Sequence, residues 1–251
     1  MSLIIEWRST HTSLGTNDLV LIALPGVGNI GKVALDALND VNMAEEIARL
    51  HHTALPPLAT LDEDGLLSPP HFSIRSIESC TQVKILTVTG TSQPLDPHFQ
   101  GQMAKEVMEF FKQQGVKNVI VLAGMTDVAT RKETFIVPSS SNFRMELESI
   151  GADVRRDEPS SGAIGMAALL ASYGPLFDLN SACAIATTIG SSGDIHASQR
   201  LLESLDRWFE LGVALPKDAK EKLSQKLESM IPKNTKDHIS ELTENPDAFY
   251  M

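Results

Sequence analysis

Leu19-Val-Leu-Ile-Ala-Leu24-Pro25-Gly26-Val-Gly28-Asn-Ile-Gly31-Lys32 decides the fold class. Its first six residues are apolar without alternation, which reads as a strand covered on both faces, as in a parallel sheet between helices. Pro25 and the glycines break the run. Ile30, Val33, Ala34, Ala37 and Leu38 then fall at helical spacing. A buried strand, a glycine turn and an amphipathic helix form the first unit of an α/β chain.

Outward from that unit the rhythm repeats. Ile47 to His51 reads as the next strand, and the proline-rich stretch Leu55 to Phe72 holds Asp64-Gly65, a hairpin or turn signal. Val83 to Thr89 is a further strand. Pro97 to Gln114 is an amphipathic helix with Met103, Val107, Phe110 and Phe111 inward, stopped at Gly115. Asn118 to Ala123 is again apolar throughout and is closed by Gly124. A short strand at Thr134 to Val137 leads to a helix over Asn142 to Ile150, stopped at Gly151. A small-residue helix from Gly162 to Tyr173, a strand from Ala182 to Thr187 and a long helix from Ala197 to Leu211 complete the series. Strands alternating with helices imply right-handed crossovers and a three-layer α/β/α sandwich with a mostly parallel sheet. No repeat of solenoid length recurs. Residues 1–213 are expected to form this core. Residues 214–251 are expected to form a helical extension and tail: Pro216 opens a Lys/Glu-rich helix with the narrow apolar stripe Leu223, Leu227, Met230 and Ile231, and Pro232 ends it. A shorter helical stretch around Asp237 to Leu242 follows.

Composition narrows the function. In 251 residues, 42% hydrophobic and 21% charged is an ordinary globular balance, which excludes general disorder. No apolar run approaches the roughly 20 residues of a membrane helix, and Met1 to Glu6 lacks the charged and apolar regions of a secretory signal. Cys80 and Cys183 are far apart without a CxxC partner, forming neither a zinc motif nor a disulfide framework, and fit the reducing cytoplasm. A net charge of -11, with 5% aromatic residues and no Lys/Arg cluster, argues against nucleic acid as a partner.

The glycine turn invites a nucleotide reading. Gly26-Val-Gly28-Asn-Ile-Gly31 has the GxGxxG pattern between strand and helix, but the acidic residue expected about 20 positions later is replaced by His51 and His52. The same stretch through Lys32 nearly completes a phosphate loop, yet Val33 stands where Ser or Thr would bind magnesium. Gly26, Gly28, Gly31 and Lys32 are therefore the only cofactor-binding candidates, and the preferred reading is that the glycines serve a tight turn and close helix packing. No cofactor is assigned. Gly190-Ser-Ser-Gly193-Asp194 also falls at a strand-to-helix turn. Asp194, His196, Ser160 and Ser161 have hydrolase residue types but no GxSxG elbow, and Asp194 is more simply a helix N-cap. His51, His52, His71 and His98 lack HExxH spacing, so no catalytic or metal-ligating residue is assigned.

Leu24-Pro25-Gly26-Val-Gly28-Asn-Ile-Gly31-Lys32, a helix, a strand, then Leu55-Pro-Pro57 and Glu63-Asp-Gly65 resembles the proteasome assembly chaperone 2 (PAC2) family. The strand Val119 to Gly124, the Ser161-Gly162-x-x-Gly165 helix start and the turn after Ala182 agree with it in order and spacing. The resemblance spans about residues 15 to 213; Gly190-Ser-Ser-Gly193 departs from the proline of many relatives. It implies a purine-phosphorylase-like fold, a cytoplasmic location and homo-oligomers.

Phe249-Tyr250-Met251 resembles the tails by which proteasome activators and some assembly chaperones dock on the proteasome core particle α-ring. A Met251 carboxylate would pair with a pocket lysine, the Tyr250 hydroxyl would bond pocket backbone, and Phe249 would bury apolar area. The same residues could instead fold back on their own core. The expected function is a non-enzymatic proteasome assembly chaperone or activator. The alternatives are a small-molecule enzyme with a site at the carboxyl edge of the sheet, formed by the turns after Leu24, Thr89, Ala123 and Thr188, and an oligomeric scaffold.

Overall fold

A computed structural model of the chain describes residues 3–61, 65–79, 81, 83–160, 162–190 and 194–212. The expected C-terminal extension with Phe249, Tyr250 and Met251, together with Asp64, Cys80 and Ser161, lies outside the described residues. In chain order the elements are β1 (Leu3–Trp7), β2 (Leu19–Ala23), α1 (Ile30–Val41), β3 (Glu45–His52), β4 (Thr60–Leu61), β5 (Leu67–Ser68) and β6 (Phe72–Glu78). There follow β7 (Lys84–Gly90), α2 (Pro97–Gln113), β8 (Asn118–Thr126), β9 (Thr134–Pro138), α3 (Ser141–Ser149), α4 (Met166–Tyr173), β10 (Asn180–Thr188) and α5 (Ile195–Phe209).

The apolar run at β2 is wholly buried in mid-sheet. The sheet order is β1-β3-β6-β7-β2-β8-β10-β9. Its centre, β7-β2-β8-β10, is parallel, with Leu21 opposite Thr87 on one side and Ile120 on the other. Both margins are antiparallel: β9 against β10 at one end, and β6 against β7, β3 against β6 and β1 against β3 at the other. Five of the eight strands, β3 among them, thus point one way.

Period-two alternation splits each central strand between two cores. Val20 and Ile22 face Met103, Val107 and Phe111 of α2 and Met166 and Leu170 of α4. Leu19, Leu21 and Ala23 face Leu35 and Leu38 of α1, Phe143 and Leu147 of α3, and Leu201 and Leu205 of α5. Two helical layers over one sheet make the three-layer α/β/α sandwich. Burying each such side chain stabilises the fold by about 1.5–3 kcal/mol before the entropy of ordering it is deducted.

Three local outcomes depart from the sequence reading. β8 runs through Gly124 to Thr126 instead of closing there. α4 starts at Met166, not Gly162, because Gly162 and Gly165 adopt φ of 74° and 90°, which no right-handed helix accommodates. β1 and β6 were not anticipated, and they extend the sheet beyond the helices of the α1 layer. There the two faces differ. Ile5, Ile47, Leu50, Phe72 and Ile74 of this flank join the α2 core, whereas α1 packs over β2, β7 and β8.

Candidate functional site

All four parallel strands end at one margin, where ligands bind in open α/β sheets. The turns after β2, β7, β8 and β10 meet there. The Gln93 side-chain amide donates to the Pro25 carbonyl (2.9 Å), and the Asp127 N–H donates to the Thr188 carbonyl (2.8 Å).

The glycine turn closes on itself. Asn29 donates its N–H to the Gly26 carbonyl (2.9 Å) and accepts the Gly26 N–H on Oδ1 (3.2 Å). Gly28 (φ 60°) and Asn29 (φ 53°) both take the left-handed conformation. α1 then descends onto β8. A Cβ at Gly31 would stand 2.4 Å from the Leu122 carbonyl oxygen, and one at Gly124 would stand 2.5 Å from that of Val27. Gly31 is required by packing, whatever else the turn binds. Lys32 pairs with Asp36 one helical turn on, at the mouth of a cleft facing the antiparallel flank. The Ser198 hydroxyl donates to the Ile30 carbonyl (3.0 Å), tying α5 to the start of α1.

The other candidates scatter. Asp194 caps α5, accepting the Ala197 N–H (3.0 Å) and the Thr188 hydroxyl (2.8 Å). His196 is exposed and lines a cleft with Arg131 and Arg200, while Ser160 lines another with Cys183. Burial pushes the Cys183 thiol up to about 12, so it stays protonated and is a poor nucleophile. His51 bonds Glu6 (2.8 Å) and His98 is exposed in the first turn of α2. His52 is buried; its Nδ1 accepts the Ala54 N–H (2.9 Å) and Nε2 lies 3.8 Å from Glu106. Among the described residues, no group of three or more His, Cys, Asp and Glu is gathered to hold a metal ion. No described helix is long and apolar enough to cross a membrane.

Two clusters escaped the sequence reading. Arg131 bridges Asp127 (2.8 Å), Glu133 (2.9 Å) and Glu158 (2.5 Å), and these carboxylates, Glu158 foremost, push its guanidinium pKa up. Arg131 and Arg155 both lie over the Phe135 ring, at 5.9 and 5.5 Å from its centroid. Partners 27 residues apart leave no local motif. The second cluster is the cleft beside Lys32, for which an arginine alternating with apolar residues in Phe72-Ser-Ile-Arg75 was the available signal.

The sequence model of the PAC2 family matches residues 20–233. The chain belongs to the PAC2 family. An uncharacterised protein of Methanocaldococcus jannaschii is 22% identical over 220 residues, spanning 86% of this PAC2 chain and 83% of that one. Among solved structures, the Pyrococcus furiosus archaeal proteasome activator PbaB superposes with a TM-score of 0.74 at 19% identity, over 91% of this chain and 96% of its own. PbaA of the same organism, an archaeal homologue of proteasome-assembly chaperone, superposes with a TM-score of 0.69 at 21% identity, over 97% and 99%.

Proposed function

We propose that this PAC2-family protein acts on the proteasome core particle in the cytoplasm as an assembly chaperone or activator, without covalent chemistry. The observation that carries the reading is the family match across residues 20–233, joined by the fold likeness to an archaeal proteasome activator. The scattered placement of the Ser, His and Cys candidates is compatible with a binding role.

The contact is assigned to Phe249-Tyr250-Met251, carried by the extension 214–251 and seated on the α-ring. An apolar side chain, a phenol hydroxyl and a terminal carboxylate match a pocket offering a hydrophobic wall, a backbone acceptor and a lysine. Self-association into a homo-oligomer would present several tails at once to a ring of repeated pockets.

Co-sedimentation with purified proteasome α-rings tests this. The full chain is expected to co-sediment, and a chain lacking Phe249 to Met251, or carrying added residues after Met251, is expected to stay in the supernatant. Unchanged binding by the shortened chain overturns the tail assignment, and no binding by the full chain overturns the proteasome reading itself.

A further inference from the structure

Where the sheet continues past α1 into the β7-β6-β3-β1 flank, the face that looks toward α1 is polar. Arg49 of β3 and Ser73 and Arg75 of β6 form the floor of a cleft there. Lys32 and Asp36 of α1 make one wall, and Thr60, Leu61 and Ser68 of the β4–β5 pair make the other. Thr89, Gly90 and Thr91, at the carboxyl end of β7, close one side. The cleft holds about 550 Å³, within the range of small-ligand sites.

Its charge runs against that of the molecule. The chain carries a net -11, yet the lining has four permanent cations, Arg8, Lys32, Arg49 and Arg75, against the two carboxylates of Asp36 and Glu46. Those carboxylates are engaged. Asp36 pairs with Lys32. Glu46 takes Arg49 at 2.8 Å, Arg8 at 3.6 Å and the Ser73 hydroxyl at 2.6 Å, and Arg8 is held more closely by Glu6 outside the cleft, at 2.8 Å. Arg75 has only the more distant field of Glu46 and, among the described residues, makes no hydrogen bond or ion pair. A half-buried guanidinium without an anion gains from acquiring one. The buried Ser68 accepts from Arg49 (3.3 Å), which leaves its own O–H free to donate.

We propose that this cleft is a binding site for a small phosphate-bearing molecule, its phosphoryl group held by Arg75 and Arg49 with hydroxyls of Ser68 and Thr89 in support. A phosphate monoester carries about -1.5 to -2 near neutral pH and several acceptor oxygens, so it can take the Arg75 and Arg49 guanidiniums together. Guanidinium forks suit its oxygens. The cleft exceeds a bare phosphate in volume, and Leu61, Pro69 and Pro70 give the rest of the molecule an apolar wall. The inference is independent of the proteasome reading and involves no bond made or broken.

The test is calorimetric titration of the full-length protein with inorganic pyrophosphate and with phenyl phosphate, at fixed ionic strength. Saturable binding with one site per chain is expected. Arg75→Gln should weaken it about tenfold or more, the worth of a charge-assisted hydrogen bond, and Arg156→Gln, away from the cleft, should leave it unchanged. Should Arg75→Gln fail to fold, Lys32→Gln at the cleft mouth is expected to weaken binding in the same direction. Equal affinity in the folded cleft variants and the unaltered chain overturns the site, as does equal weakening by Arg156→Gln or no saturation in the millimolar range. Tighter binding of phenyl phosphate than pyrophosphate indicates an ester with an apolar body, and the reverse order indicates a diphosphate. Co-sedimentation with α-rings by the same Arg75→Gln protein stays unchanged, which keeps the two readings separable.

Discussion

At Gly31 the main chain of α1 meets that of β8, and the space for a side chain is already taken by the Leu122 carbonyl. Alanine is the better helix former by about 1 kcal/mol, so on propensity alone Gly31→Ala would stabilise. Contact decides otherwise. A Cβ 2.4 Å from a backbone oxygen cannot be relieved by a rotamer change, and Gly31→Ala is expected to lower stability by about 1–3 kcal/mol. A urea midpoint at or above that of the unaltered chain would contradict this. His52 supports a prediction in pH. Burial, only partly opposed by Glu106, lowers its pKa from the ordinary 6.5, and protonation at Nδ1 would break the bond accepted from the Ala54 N–H. Below pH 6.5 the unfolded chain therefore takes up a proton that the folded chain resists, so stability falls as pH falls. His71, also lowered mainly by burial, acts in the same sense. Denaturation midpoints between about pH 7 and pH 5 should decline toward acid, and His52→Gln should flatten that slope. A second window opens lower. Burial raises the Glu46 pKa, but the Ser73 and Arg49 hydrogen bonds outweigh it and hold the carboxyl below 4.5, so its contribution is lost only as pH falls under that value.

At the level of elements, legibility followed the kind of burial. β2 and the middles of β8 and β10 are covered on both faces, so their runs are mainly apolar, and α2 and α5 carry clear apolar stripes; all are readable in the sequence. β6 is not, because one of its faces meets a helix layer and the other a polar cleft. Phe72 and Ile74 alternate with Ser73 and Arg75, and the neighbouring Pro69-Pro70 masked the pattern. The place of β1 in the sheet depends on pairing with β3, some 45 residues on. The start of α5 shows the converse, a local rule holding in the folded chain. Asp194 accepts the Ala197 N–H as an N-cap and also anchors Thr188 at the end of β10. Asp194→Ala is expected to destabilise by about 1 kcal/mol. Asp194→Asn, which keeps a capping oxygen, should recover most of it in the same thermal-unfolding assay.

For the molecule as a whole, the family could be read from the order and spacing of weak motifs that individually decide nothing. The phosphate cleft could not. Its cations come from the β1 end, α1, β3 and β6, and only the folded sheet brings them to one place. The proteasome reading makes its own prediction at this scale. If several tails act from one oligomer, a free peptide of the last residues should bind α-rings about 10² to 10⁴ more weakly than the intact protein. Competition binding measures the ratio, and comparable affinities would remove the need for an oligomer.

The contact of α1 with β8 reaches further than its own neighbourhood. Because the α1 backbone at Gly31 rests directly on the Leu122 carbonyl of β8, no change of rotamer can open a gap between helix and strand there. The buried hydrogen bond from Thr87 to Asn39 (2.6 Å) fastens the same helix to β7 nearer its other end. α1 is thus pinned at two points along its length, and the bank of the cleft that carries Lys32 cannot yield. Any guest must conform to it, and adjustment falls to the opposite bank, the short β4–β5 ribbon with its exposed leucines.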